Sequence, residues 1–145
     1  MNDGLTLRMA CADDGSAIYR LICALEETAL PRERFDAILG RQLAGADHRC
    51  IVAERDGCVV GLLNLRIEPQ LHHCAPVAEI LELVVDPKSR GLGVGKALMA
   101  RAGEAAREAG CVLIEVACNV AREDAHRFYR REGMEADHLR FMRRL

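Results

Sequence analysis

Residues 83–98 read Leu-Val-Val-Asp-Pro-Lys-Ser-Arg-Gly-Leu-Gly-Val-Gly-Lys-Ala-Leu, an apolar run that passes through Asp-Pro into three alternating glycines and then helix formers. Gly91, Gly93 and Gly95 let the backbone turn tightly and approach a ligand with no Cβ in the way. The free N–H groups of the helical turn that follows point at whatever lies there, and the preferred guest is a phosphate. Two common phosphate cradles are excluded by position. A Walker loop needs glycine and Ser/Thr where this chain has Arg90 and Ala97, and the dinucleotide pattern G-x-G-x-x-G ends at Lys96 instead of its third glycine.

The rest of the chain places this turn in a mixed α/β fold. Leu5–Met9 alternates as a first strand, and Asp13 or Asp14 can cap a helix to about Thr28 with Ile18, Leu21, Ile22 and Leu25 on one face. Pro31 opens a second helix that ends near Gly45, in which Arg32, Arg34 and Arg41 suit either a solvated face or an anionic acceptor. Strands over 49–54 and 58–67 flank the hairpin signal Asp56-Gly57. A polar loop over 68–76 carries His72 and His73, and a strand over 77–85 feeds the glycines. A long helix from Gly93 to about Ala109, a strand over 112–116, a helix over 122–132 and a last strand over 139–142 complete the order β-α-α-β-β-β-α-β-α-β. Repeats, linkers and low-complexity tracts are absent, and 145 residues suit a single domain, 1–145.

Composition narrows the partners. A formal charge of -2 with 3% aromatic residues gives no electrostatic or stacking reason to expect nucleic acid, so a small molecule or peptide is expected. Seven cysteines, an odd number without C-x-x-C pairs, read as reduced and mostly buried small hydrophobes. Asp3 and Arg8 interrupt the opening residues as a signal peptide, and no apolar run approaches the length of a membrane span. A cytoplasmic location and no membrane partner are expected.

Arg90-x-x-Gly93-x-Gly95 after the strand end Val84-Val85-Asp86-Pro87 resembles the acetyl-CoA pyrophosphate loop of the GCN5-related N-acetyltransferase (GNAT) family. A second stretch, Asn119-x-x-x-x-x-Ala125-x-x-Phe128-Tyr129-x-x-x-Gly133-Met134, is similar to that family's second motif. The resemblance implies the GNAT fold, acetyl-CoA as co-substrate and direct attack of an amine on the thioester. It implies that main-chain groups of Leu83 and Val85 hold the pantetheine and acetyl portions. Amides from Leu92 to Lys96, those of Leu92, Gly93, Val94, Gly95 and Lys96, would hold the pyrophosphate, with Gly91 at the entrance to the turn. Arg90 either touches phosphate or braces the loop, Lys96 either contributes or merely solubilises, and Asn119 either meets the cofactor's arm or caps the next turn. Tyr129 falls where the family places the acid that protonates departing CoA thiolate; an ordinary phenol, with a pKa of about 10, holds its proton at neutral pH.

The reaction also needs a base, because a lysine-like amine is cationic at neutral pH. Glu79 lies on the strand entering the glycine turn with the side-chain parity of Leu81, Leu83 and Val85, opposite to Glu82. One bulge would exchange these assignments. Glu79 is the preferred base, directly or through water; the alternative is a sheet-edge or ion-pair residue. Residues 72–145, including His72-His73, Glu79 to Val85, Asp124 to Tyr129 and His138 to Phe141, more narrowly resemble the aminoalkylphosphonate N-acetyltransferases. That resemblance implies a small aminophosphonate acceptor, the catalytic role of Glu79 and a divalent metal, for which Glu79 is the ligand candidate beside His72, His73, Asp124, His126 and His138. Other amines (polyamine, aminoglycoside or protein amino group) and a non-catalytic acetyl-CoA sensor are the alternatives. Family members often form dimers, and an exposed final strand offers an edge for a homodimer.

Overall fold

The computed structural model describes residues 4–145, so Asp3, used above to read the N-terminus, lies outside the described residues. The chain forms two compact units, one ending at Glu115 and the other Val116–Leu145. Its elements are β1 (Leu5–Met9), α1 (Gly15–Glu26), α2 (Arg32–Ala44), β2 (His48–Arg55), β3 (Cys58–Gln70), β4 (Ala75–Val85), α3 (Val94–Glu108), β5 (Ile114–Val116) and α4 (Glu123–Arg131). The sheet order is β1-β2-β3-β4-β5.

The first four strands pair antiparallel, as short connections allow. The Val112 N–H donates to the Pro76 carbonyl and the Ala78 N–H to the Leu113 carbonyl, at 3.1 Å each. The two bonds advance together along both segments, so β5 enters parallel to β4, and α3 supplies the crossover that parallel strands require. The sheet is therefore mixed, as expected.

Both faces of the sheet are covered. Ile18, Leu21 and Ile22 of α1 pack on Cys50, Val52, Leu62 and Val84. On the other face α3 comes so near that a Cβ on Gly61 would lie 2.9 Å from Val94 Cγ1 and 3.1 Å from Leu98 Cδ1. The link from α1 to α2 is held by the Tyr19 hydroxyl, which donates to the Leu30 carbonyl at 2.8 Å, and by an edge contact of Tyr19 with Phe35 at 5.2 Å. The α2 arginines Arg32, Arg34 and Arg41 are exposed, and Arg32 pairs with Asp36 at 2.9 Å.

Several boundaries differ from the sequence reading. The polar stretch 68–76 is mostly strand: Pro69 faces Pro76 and Gln70 faces Ala75, leaving only a tight turn around Leu71–His73. The two prolines share one cross-strand pair, so a single position of the ladder goes without N–H donors. The expected final strand over 139–142 does not form. Leu139, Phe141 and Met142 are 82%, 88% and 67% exposed and have the alternation of a strand without a ladder to join. The strand edge offered for a homodimer is accordingly missing from the described residues. The cysteines are not mostly buried either: only Cys50 is, whereas Cys11, Cys58 and Cys74 are exposed. Among the described residues no helix is long and apolar enough to cross a membrane.

Candidate active site

The glycine turn is built in three steps. Asp86 closes a short 3-10 turn over Pro87–Ser89 by accepting from the Lys88 N–H at 3.0 Å. Gly91 and Gly93 then take φ of 76° and 81°, a region that side chains disfavour, and Gly93 becomes the N-cap of α3. Val94 anchors this first turn in the core, while Arg90, Leu92 and Lys96 are exposed. The first turn of α3 contains no acidic side chain, unlike those of α2 and α4. Its amides and the positive end of the helix dipole therefore face no carboxylate from that turn, an arrangement that favours an anion.

The strand feeding this turn is not regular. Asn64 pairs with Glu82, Leu65 with Ile80 and Arg66 with Glu79, so Leu81 is an extra residue on β4. The bulge reverses the alternation, and this corrects the parity expected for Glu79. Glu79 shares a face with Glu82, Asn64 and Arg66, while Leu83 and Val85, opposite Leu63 and Gly61, point to the other face. The Arg66 Nη2 donates to the Glu79 Oε2 at 2.6 Å, and both side chains are partly exposed. The Arg66 Nε is buried with no hydrogen-bond partner.

Glu82, not singled out as a functional residue from sequence, occupies a different environment. Asn64 Nδ2 donates to Glu82 Oε2 and to Gln42 Oε1, at 2.8 Å each. Burial pushes the Glu82 carboxyl above its ordinary range, the Asn64 hydrogen bond opposes this, and Glu26 adds to the rise. One signal pointed here, Asn64 interrupting the apolar run 62–65, whereas the parity of Glu79 and Glu82 on a regular strand pointed away.

The second unit holds Asn119 and Tyr129. Asn119 Oδ1 accepts from the Ala121 N–H at 2.8 Å, and its carbonyl accepts from the Arg122 N–H at 3.0 Å, so the residue closes the turn leading to α4. His126 Nε2 lies 2.8 Å from the same carbonyl. Tyr129 is half-buried and packs edge-on to Phe128 at 5.3 Å. Burial first, then Cys118, pushes its phenol up to about 12, against a smaller opposing effect of Arg122. It holds its proton throughout the neutral range.

The donor set does not fit a protein-held divalent ion. Among the described residues no three His, Cys, Asp or Glu side chains are grouped to hold one, and Glu79 is engaged by a guanidinium. His72 and His73 stack on each other at the β3–β4 turn with ring centroids 4.2 Å apart. Asp124 pairs with Arg127, and His138 lies against Asp137.

Comparison with known proteins decides the family. The Acetyltransferase (GNAT) family model matches residues 16–134. The chain is a GNAT acetyltransferase. This acetyltransferase is 41% identical over 139 residues to an aminoalkylphosphonate N-acetyltransferase of Salmonella typhimurium, covering 96% of this chain and 90% of that protein. It is 34% identical over 104 residues to a glucosamine 6-phosphate N-acetyltransferase of Trypanosoma brucei brucei, covering 71% and 68%. A solved acetyltransferase structure from Trypanosoma brucei superposes with a TM-score of 0.82 at 28% identity, covering 97% of this chain and 99% of that one. The GNAT acetyltransferase is thus an acetyl-CoA-dependent N-acetyltransferase.

Proposed function

We propose that the acceptor is the amine of a small aminoalkylphosphonate. The observation that carries this reading is the Arg66–Glu79 pair, a cation and an anion 2.6 Å apart on one sheet face. An aminophosphonate carries the same two charges. Its phosphonate would take Arg66, whose guanidinium otherwise lies 2.6 Å from Glu79 and 3.8 Å from Glu68, and its ammonium would take Glu79, so the carboxylate meets the proton it must remove. The Salmonella relative supports this acceptor by name, and the trypanosomal relative supports a wider class in which amine and phosphate share one molecule.

In this reading the amides of Leu92–Lys96, with Gly91 and Gly93 shaping the turn, bind the pyrophosphate of acetyl-CoA. Arg90 adds charge at the entrance to the turn, main-chain groups of Leu83 and Val85 hold the pantetheine arm, and Asn119 shapes the turn before the helix of Tyr129. Glu79 takes the ammonium proton directly or through water. The free amine forms the C–N bond, the C–S bond breaks, the Tyr129 hydroxyl protonates the departing thiolate, and the surplus proton on the new amide nitrogen returns to the Tyr129 phenolate. The family match runs through the boundary after Glu115, which supports reading both units as one domain over 1–145. A cytoplasmic location is supported by seven cysteines without a C-x-x-C pair, and a homodimer by the habit of the family.

The test measures CoA thiol release with aminoalkylphosphonates, their carboxylate analogues and unrelated amines, with and without divalent metal. Phosphonates are expected to give the highest kcat/KM. Tyr129→Phe and Glu79→Gln should each lower kcat by about 10²–10⁴-fold. Arg66→Gln should raise KM for phosphonates far more than for uncharged amines. Turnover confined to other amines would remove the phosphonate reading.

A further inference from the structure

His48 of β2 pairs with Arg66 of β3, and Arg66 pairs with Glu79 of β4, so the three side chains form one row across the sheet face. Glu68, two residues along β3 from Arg66, looks to the same side. Beside this row the Ile67 N–H donates to the Asp47 carbonyl at 2.7 Å. His48 and Arg66 are therefore a non-hydrogen-bonded pair, the kind whose side chains stand closer, with Cα atoms about 4.5 Å apart. β1 stops at Met9, opposite Ile51, so among the described residues no strand covers the far side of His48. The imidazole is half-buried and has no hydrogen-bond or ion-pair partner among the described residues.

Arg66 by itself is poorly matched to a phosphonate. Its Nη2 lies 2.6 Å from Glu79 and 3.8 Å from Glu68, so one cation already stands between two carboxylates. When Glu79 turns to the ammonium of the acceptor, Glu68 remains. A phosphonate, like a phosphoryl group, brings about 1.5–2 negative charges near pH 7 and three acceptor oxygens, more than one shared guanidinium balances. The last turn of α2, which packs on β2, offers only the exposed Arg41, and the chain neighbours of His48, Asp47 and Arg49, alternate to the other face. Imidazole is the side chain whose charge changes near neutral pH. Directly across from Arg66 that charge is resisted, because like charges opposite each other on a ladder repel. An anion lying between the two removes the resistance.

We propose that His48 is a specificity-determining residue for the acceptor: protonated, it holds the phosphonate together with Arg66, and it takes up that proton as the phosphonate binds. This deepens the acceptor reading above and rests on it. A carboxylate, with one charge and two oxygens, is satisfied by Arg66, so His48 separates the two classes of acceptor.

The experiment titrates the full chain with 2-aminoethylphosphonate by calorimetry, without acetyl-CoA, at about pH 7.5 in two buffers of different ionisation enthalpy. Alongside, KM for that acceptor is compared with KM for its carboxylate analogue, β-alanine. The wild-type chain should take up about one proton per phosphonate bound, and His48→Gln none. His48→Gln should also raise KM for the phosphonate about tenfold more than KM for β-alanine. A histidine that merely supports the fold would raise both alike. His48→Lys, whose charge is permanent, should keep the phosphonate preference without proton uptake, and it serves if His48→Gln fails to fold. Proton uptake that persists in either variant, or an equal rise in both KM values, would overturn the proposal. If the wild-type chain acetylates no phosphonate, the acceptor reading falls and takes this one with it; if it acetylates phosphonates with no proton uptake, only the role of His48 falls.

Discussion

Asp14 shows how one carboxylate can outgrow the role expected of it. It occupies the N-cap of α1 but makes no cap bond into that helix. Its oxygens instead accept from Arg8 Nη1 and Nη2 at 2.7 and 2.8 Å and from the Cys11 N–H at 2.8 Å, while Arg8 also reaches Glu54. The Arg8 hydrogen bonds lower Asp14 from 3.8 to about 2, against the opposing effect of burial. A depressed folded-state pKa adds stability above the unfolded value that is lost as pH falls through the folded one. Asp14 should contribute about 2 kcal/mol near neutrality, fading between about pH 4 and pH 2. Urea unfolding of Asp14→Asn should show that deficit at pH 7 and a smaller one at pH 3. Tyr129 carries a prediction of opposite chemistry. As the proposed acid it must be protonated to act, and it loses its proton only as pH rises through about 12. The phenol should therefore impose no alkaline fall in kcat below about pH 10, read from thiol release with a fully deprotonated acceptor.

Among the elements, legibility followed the pattern that each one obeys. The first helix was readable because Ile18, Leu21, Ile22 and Leu25 repeat at helical spacing, and the glycine turn because Gly91 and Gly93 adopt the backbone that other residues avoid. The face of Glu79 was not, because a single extra residue at Leu81 changes phase without changing composition. The tail over 139–142 failed for the converse reason: alternation is local, whereas a strand needs a partner. Packing between elements was equally hidden at Gly61, where a Cβ would meet Val94 at 2.9 Å and Leu98 at 3.1 Å. Gly61→Ala should cost about 1–3 kcal/mol by overpacking, seen as a lower urea midpoint with an unchanged slope.

On the scale of the whole molecule, the chain contains two tyrosines and no tryptophan. Tyr19 lies in the first unit and Tyr129 in the second, so Tyr19→Phe and Tyr129→Phe leave one intrinsic fluorophore in each. If 1–145 is one domain, each single-tyrosine variant should show the same midpoint by fluorescence as by circular dichroism. Separate midpoints within one variant would mean that the units unfold apart. The bulge gives this chain a further property, one of tolerance to genetic change. Replacing Leu81 alters a side chain, and deleting its codon leaves Glu79, Ile80 and Glu82 in strict alternation opposite Arg66, Leu65 and Asn64, so both carboxylates keep their face. In a library of length variants, this position should accept many amino acids and a gap as well.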